Sequence, residues 1–466
     1  MAEATDSGIG SGTESSVDTD TGRGTDTDTD TGSGNETLQA RPRKSSWTYI
    51  GPGIVVAATG VGAGDLVATL IAGSKFGYTL MWAAVIGCVV KISLAEAAGR
   101  WHLATGRTLF DGWRSLGPWT TVYFAVYVVI WGFIYGATAM SSSALPIVAL
   151  FPDGPNLKTW AIITGLIGLV FVWFNRYAVF EKVMTVLVGV MFVVVVYVAA
   201  RVGPDVGASF AGLAPVLPDG SLLYTLGLIG GVGGTITMAA YGYWVNAKGW
   251  TNSSWMKVMR LDNRVAYITT GIFVVAMLVV GAELLHSSQL ALTKGDRGLI
   301  DLGVILEDRY GATTARLFLI GFFATSFSSL IGVWNGVSLM FADFVDRFRR
   351  DRAGAADGAS EAVGTVVEEV AAGTKERSLP FRAYLLWLTF PPMTLLWLDE
   401  PFGLVVVYGV LGAFFMPFLA LTLVWLLNSS RTPREWRNGL LSNVMLVAAG
   451  LLFVVLCVQQ LREIPW

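Results

Sequence analysis

"TGVGAGDL", residues 59–66, decides the fold. Gly60, Gly62 and Gly64 recur at every second position, and Asp65 follows them inside a long apolar run. "LIGGVGGTITMAAYGYW", residues 228–244, repeats the feature with Gly230, Gly231, Gly233 and Gly234. A glycine-broken helix frees backbone N–H and C=O groups. Hydrocarbon cannot satisfy them, so such backbone is tolerated at membrane depth only where protein buries it or where it lines a cavity. Glycines also serve close helix packing. Two clusters five helices apart point further, to interrupted helices at matching positions of two halves. That pattern marks the binding site of a secondary transporter.

The rest of the chain fits a membrane setting. It has 466 residues, of which 53% are hydrophobic and 14% charged. Soluble domains carry about 25% charged residues. Mean hydropathy is +0.58. The net charge of −2 says little about partners, because the charges are segregated into tails and loops. Cys88 and Cys457 both lie in apolar runs, so no disulfide framework is implied. His102 and His286 sit near segment ends, which leaves no histidine cluster for a metal.

A window of about 20 residues matches the bilayer core. It finds eleven candidate helices, at about 49–73, 77–100, 118–151, 158–175, 178–202, 222–245, 258–285, 313–344, 380–398, 402–428 and 438–460. Helices one and six head two five-helix halves, about 49–202 and 222–428, and 438–460 is an extra helix. The expected fold class is therefore an all-α integral membrane protein, a 5+5 inverted repeat plus one, with helices 1 and 6 broken. Residues 46–460 form the transmembrane domain. Residues 1–45 are polar and rich in Asp, Thr and Gly, and read as a disordered acidic tail. Residues 346–379 read as a flexible cytoplasmic loop. Basic residues concentrate before the first helix and in the even-numbered connections, for example Arg41, Arg43, Lys44, Arg100, Arg107 and Arg114. The positive-inside rule then puts the N-terminus in the cytoplasm and, with eleven helices, the C-terminus outside a cell membrane.

Asp65 begins the second half of a broken helix. One role is to cap the orphan amides that follow. The other is cation ligand or proton carrier, since intramembrane carboxylates are costly and usually functional. Thr237 and the backbone at Thr59 and Gly234 would add neutral oxygens. Carboxylate, hydroxyl and carbonyl make a hard site, suited to Mg²⁺, Mn²⁺ or Ca²⁺. Lys91 lies within the second helix with Glu96 nearby. It reads as a charge partner for Glu96, or its ammonium reaches Asp65 and stands in for a bound cation.

At this point the sequence resembles the Nramp family of divalent metal transporters. "GPGIVVAATGVGAGDLVATLIAGSKFGYTLMW" at 51–82 is similar to the family's first helix, and "FFATSFSSLIGVWNGVSLMFADF" at 322–344 to its eighth. "MPF" at 416–418 matches an element of its tenth helix, and "GGTIT" at 233–237 the start of its broken sixth. The resemblance covers nearly all of residues 46–460. It implies the LeuT-like fold and alternating access. The departures fall on the chemistry. The family's Asp-Pro-Gly-Asn motif reads Gly62-Ala63-Gly64-Asp65, and its Met-Pro-His reads Thr237-Met238-Ala239. Its metal-proximal glutamine falls on Gly409, and the third helix lacks the acids that the family associates with proton movement.

The leading expectation is a secondary transporter of a divalent metal ion of the Mg²⁺ or Mn²⁺ class. Asp65 and Thr237 are its metal ligands, with Thr59 and Gly234 completing the substrate site. Coupling to protons is left open, and the oligomeric state is not legible. One alternative keeps the fold and takes an organic solute, with Lys91 replacing a bound cation and Tyr241, Tyr243 and Trp244 lining the site. A second is a non-transporting membrane sensor, which the lack of an output domain after the last helix disfavours. No phosphate loop, nucleotide fingerprint or catalytic constellation is present, so an enzyme or ATP-driven pump is disfavoured. No cofactor and no nucleic acid is expected; the partners are membrane lipid and the transported ion.

Overall fold

The structure is a computed structural model that describes residues 51–174, 177–231, 234–286, 297–357, 378–398 and 401–463. The expected N-terminal tail and residues 358–377 of the expected loop lie outside the described residues.

The first glycine cluster does break a helix. α1 (Pro52–Gly60) starts with proline at its first position, where the ring presets the backbone and no intrahelical N–H is lost. It ends where the Val61 N–H bonds the Ala57 carbonyl at 2.8 Å. α2 (Ala63–Phe76) starts two residues later, with Leu66 N–H bonded to the Gly62 carbonyl at 3.0 Å. α3 (Met81–Thr105) follows, then the short α4 (Leu109–Leu116), which is held by a reciprocal cap between Thr108 and Asp111. α5 (Pro118–Leu150), α6 (Leu157–Phe174) and α7 (Tyr177–Val202) complete the first half, with α8 (Val206–Ala211) in the connection.

The second half opens with the second break. α9 (Leu222–Gly231) stops at the glycines, a 3₁₀ turn covers Ile236–Met238, and α10 (Tyr241–Ala247) resumes the path. Between them Gly234 takes φ +90°, a conformation that side-chain-bearing residues rarely adopt. α11 (Met256–Gly281), α12 (Arg297–Tyr310), α13 (Ala312–Asp357) and α14 (Leu379–Thr389) follow. The last are α15 (Pro401–Asn428) and α16 (Leu440–Glu463).

Among the described residues, eight helices are long and apolar enough to cross a membrane: α3, α5, α6, α7, α11, α13, α15 and α16. The other three expected crossings are in shorter pieces. Two are the glycine breaks. The third, 380–398, divides into α14 and a 3₁₀ stretch Pro391–Leu398, because Pro391 and Pro392 cannot donate the bonds that would continue the α-helix. α13 also runs on to Asp357, so residues 346–357 are helical where composition alone suggested loop.

Packing follows the logic of a bilayer solvent. The outer faces carry large apolar side chains such as Val126, Ile167, Val193 and Leu451. The interior holds polar ones, among them Lys91, Asp262, Asn263 and Asp343. Small residues let the inner helices touch. A Cβ on Gly281 of α11 would stand 2.7 Å from the Leu70 carbonyl oxygen and 3.2 Å from Gly73 Cα on α2. With no hydrophobic drive between helices in lipid, this backbone approach is a main source of cohesion. α1 packs on α7, α11 and α13, α2 packs on α9, α11 and α15, and α16 lies against α15 and α3. The two broken paths are thus enclosed on several sides.

Candidate substrate site at the paired helix breaks

The two breaks meet. A Cβ on Gly234 would stand 3.1 Å from Gly60 Cα and directly against the Thr237 hydroxyl. A side chain at Gly412 of α15 would strike the Thr235 methyl at 2.6 Å, so α15 closes one side. Near Pro417 in α15, Tyr123 and Tyr127 of α5 donate to the carbonyls of Phe414 (2.9 Å) and Leu411 (3.1 Å).

Each residue expected at the site has a place. Thr59 is the second-last residue of α1 and is buried. Its hydroxyl donates back to the Val55 carbonyl (2.5 Å), and its own carbonyl accepts from the Ser329 hydroxyl of α13 (2.7 Å). Asp65 is the third residue of α2, and its side chain lies outside the described residues. The N-cap position belongs to Gly62, not to Asp65. An acid in the first turn is still favoured by the helix dipole. Thr237 sits in the 3₁₀ turn, and its buried hydroxyl has no hydrogen-bond partner among the described residues. The Thr235 hydroxyl beside it is in the same condition. Buried hydroxyls of this kind require an explanation, and a bound ion or ordered water is the usual one.

Gly234 and Lys91 form a unit. Lys91 is fully buried on α3. Its ammonium donates to the carbonyls of Gly230 (2.8 Å) and Gly234. Glu96, further along α3, engages Arg100 at 3.2 Å and Arg260 at 2.9 Å. Among the described residues, no group of three or more His, Cys, Asp or Glu side chains is arranged to hold a metal.

The departures from the metal-transporter motifs have steric counterparts. A side chain at Gly62 would run directly into the Ser329 hydroxyl. That hydroxyl is fixed between the Thr59 carbonyl and Tyr135, whose phenol lies 2.8 Å away. Ser329 thus fills the space a first-helix acid would need. At Gly409, by contrast, no described atom lies within 4 Å of where a Cβ would stand.

Two polar clusters were not anticipated. Asp262 of α11 accepts from the Gly51 N–H (2.9 Å), the Gly53 N–H (2.5 Å) and the Tyr241 hydroxyl (3.0 Å). It ties the start of α1 to α10. Asp343 of α13 accepts from Tyr243 (2.7 Å), Thr108 (3.0 Å) and Arg347 (2.9 Å), and Arg347 also pairs with Asp111. Trp244 donates to Asn335 at 3.0 Å. The polar atoms of Tyr241, Tyr243 and Trp244 are therefore engaged with these partners. Asp262 and Asp343 fall inside expected membrane helices, and an ionisable residue there is itself a signal.

Paired helix breaks enclosed by unbroken helices define an inverted-repeat membrane transporter architecture. The natural resistance-associated macrophage protein-like (Nramp) family model matches residues 53–463. The chain belongs to that family. A relative from Chromohalobacter salexigens, named divalent metal cation transporter MntH, is 26% identical over 331 residues, which is 65% of this chain and 72% of the relative. Among solved structures, an Eremococcus coleocola manganese transporter in complex with an aromatic bis-isothiourea substituted compound is similar, with a TM-score of 0.70 at 16% identity. That likeness covers 92% of this chain and 92% of that one. A structure of MhsT with L-phenylalanine has a TM-score of 0.52 at 13% identity, covering 87% of this chain and 97% of that one. These likenesses show the fold, which is LeuT-like. The chain is a multi-pass membrane protein of a transporter family, not an enzyme, and the family needs no cofactor.

Proposed function

We propose that this protein is a secondary transporter that moves a divalent metal ion, of the Mg²⁺ or Mn²⁺ class, by alternating access. The observation that carries the reading is the meeting of the two breaks at Gly60 and Gly234, with the Thr237 hydroxyl, which has no hydrogen-bond partner among the described residues, against Gly234. Family membership favours a metal ion over an organic solute or a sensor role.

In this reading Asp65 and Thr237 are the metal ligands. The Thr59 carbonyl is an auxiliary ligand: it accepts one bond from Ser329 and keeps a second lone pair. Gly234 lines the site through its backbone. Thr237 stands where the family motif has methionine, so the donors are hard oxygens and not a soft sulfur. Mg²⁺ dehydrates reluctantly and keeps several waters, which fits a site with few protein ligands. The protein sits in the cell membrane, with its N-terminus in the cytoplasm and its C-terminus outside. α5 carries no acidic residue, so coupling to protons would have to run by another route.

The test is ion flux into sealed proteoliposomes. Mg²⁺ and Mn²⁺ are offered separately, with and without a pH gradient, to wild type and Asp65→Ala. Uptake by the wild type that disappears in Asp65→Ala is expected. No uptake of either ion by correctly folded wild-type protein would overturn the proposal.

A further inference from the structure

Lys91 is a group at the paired breaks that a metal site does not explain. A cation ligand set gains nothing from a buried ammonium beside it, and burying a charge is costly unless it is well partnered. Two of its partners are backbone carbonyls. α9 ends at Gly231, so the carbonyls of its last turn have no intrahelical donor. Gly230 is one of these. Gly234, at φ +90°, turns its carbonyl toward the same point. The oxygens of a half-helix C-terminus also sit at the negative end of the helix dipole. In secondary transporters such half-helix ends and unwound carbonyls are where Na⁺ or H⁺ is coordinated. In this protein the Lys91 ammonium holds that position, 2.8 Å from the Gly230 oxygen and bonded to the Gly234 oxygen.

We propose that Lys91 is a tethered monovalent cation: its ammonium fills a cation seat formed by the Gly230 and Gly234 carbonyls and makes the broken sixth helix independent of bound Na⁺ or K⁺. Its role is positioning. It anchors the unwound stretch that carries Thr235 and Thr237 to α3, and it supplies one positive charge that does not dissociate during the cycle. The seat is a consequence of the break, whichever ion is transported.

Shortening the side chain should therefore turn a fixed cation into an exchangeable one. Lys91→Ala opens the seat and leaves its oxygens in place. The first readout is thermal unfolding of purified protein in NaCl, KCl or choline chloride, without divalent ions. Wild type should melt at the same temperature in all three. Lys91→Ala should melt lower in choline and be restored, saturably, by Na⁺ or K⁺. At a monovalent concentration about ten times the seat's Kd, the folded-to-unfolded ratio rises about tenfold. The second readout is divalent uptake in the same three salts, which should become monovalent-dependent only in Lys91→Ala. Melting of Lys91→Ala that is identical in all three salts would overturn the proposal, whatever the uptake shows. Lys91→Gln keeps much of the length and a donor but not the charge. It guards against a Lys91→Ala protein that does not fold: full wild-type stability and uptake in Lys91→Gln would show that the charge is dispensable and would equally overturn it. Because the melting readout needs no substrate, its failure is distinct from failure of the metal-transport reading.

Discussion

Removing the Asp262 carboxylate should release one end of the first broken helix. Three donors converge on it: the amides of Gly51 and Gly53 and the Tyr241 hydroxyl. Asp262 is itself fully buried. In Asp262→Ala each donor loses its acceptor, and an unsatisfied buried donor costs about 1–3 kcal/mol. Water entering the vacated space recovers part of that, so about 4 kcal/mol is expected in total. Asp262→Asn keeps one acceptor oxygen but turns an amide NH₂ toward one of the former donors, for a cost of about 2 kcal/mol. The loss falls on the arrangement in which α1 and α10 are both tied to α11. At about 1.4 kcal/mol per decade, the population with this end loosened rises about 30-fold in Asp262→Asn and about 10³-fold in Asp262→Ala. The assay is the rate of maleimide labelling of a Thr59→Cys reporter at the inner end of α1. Thr59 is 2% exposed, and the native Cys88 and Cys457 are buried, with 7% and 8% exposure, which keeps the background low. Labelling should accelerate in the order wild type, Asn, Ala. Folded Asp262→Ala protein that labels at the wild-type rate would refute the latch.

Other sites yield direct expectations. Gly234→Ala puts a methyl against Thr237 and Gly60 at a φ of +90°, so it should abolish uptake and lower stability by about 2 kcal/mol, read by flux and melting. Thr237→Val removes a hydroxyl that has no hydrogen-bond partner among the described residues, while keeping the shape. It should raise the KM for the metal about tenfold and leave the melting temperature nearly unchanged, since no hydrogen bond among the described residues is lost. Glu96→Gln weakens the acceptor shared by Arg100 and Arg260. Because Arg100 keeps the Trp436 carbonyl, Asn438 and Ser442, the loss should be about 1–2 kcal/mol in unfolding.

The breaks were legible because two glycine clusters inside apolar runs recur at matching positions of the two halves. The division of 380–398 was equally written, in Pro391 and Pro392, yet an averaging hydropathy window passes over two prolines. The helical stretch 346–357 was hidden for the opposite reason. Arg347, Arg349 and Arg350 read as loop by charge, while the chain simply continues the helix of α13 past its apolar part. Asp262 and Asp343 were visible as acids within expected membrane helices. Their distant partners, two main-chain amides at the start of α1, two tyrosines of α10 and Thr108 before α4, were not. Lys91 shows the limit most sharply. Its side chain attracts notice at once, but carbonyl oxygens help to hold it, and a backbone oxygen has no letter in the sequence. The Arg100–Glu96 pair lies within reach of the i, i+4 rule, whereas the Arg260 contact is tertiary.

The altered motifs make more sense together than one at a time. Placing a carboxylate at Gly62 would displace Ser329, and with it the bonds that join α13 to Thr59 and Tyr135. If Asp65 is the ligand proposed above, that acid and the Lys91 ammonium would together bring a formal charge near zero to the breaks. A divalent ion would then be held by dipoles, hydroxyls and its own retained waters more than by opposite charge. Such a site would bind weakly, and with Thr237 as a ligand in place of a sulfur donor it would lack the chief means of preferring a softer ion. Weak, hard and hydrated binding suits an ion available in quantity. On the proposed reading Mg²⁺ ranks ahead of Mn²⁺ for the flux experiment, and Asp65 and Lys91 are best varied together.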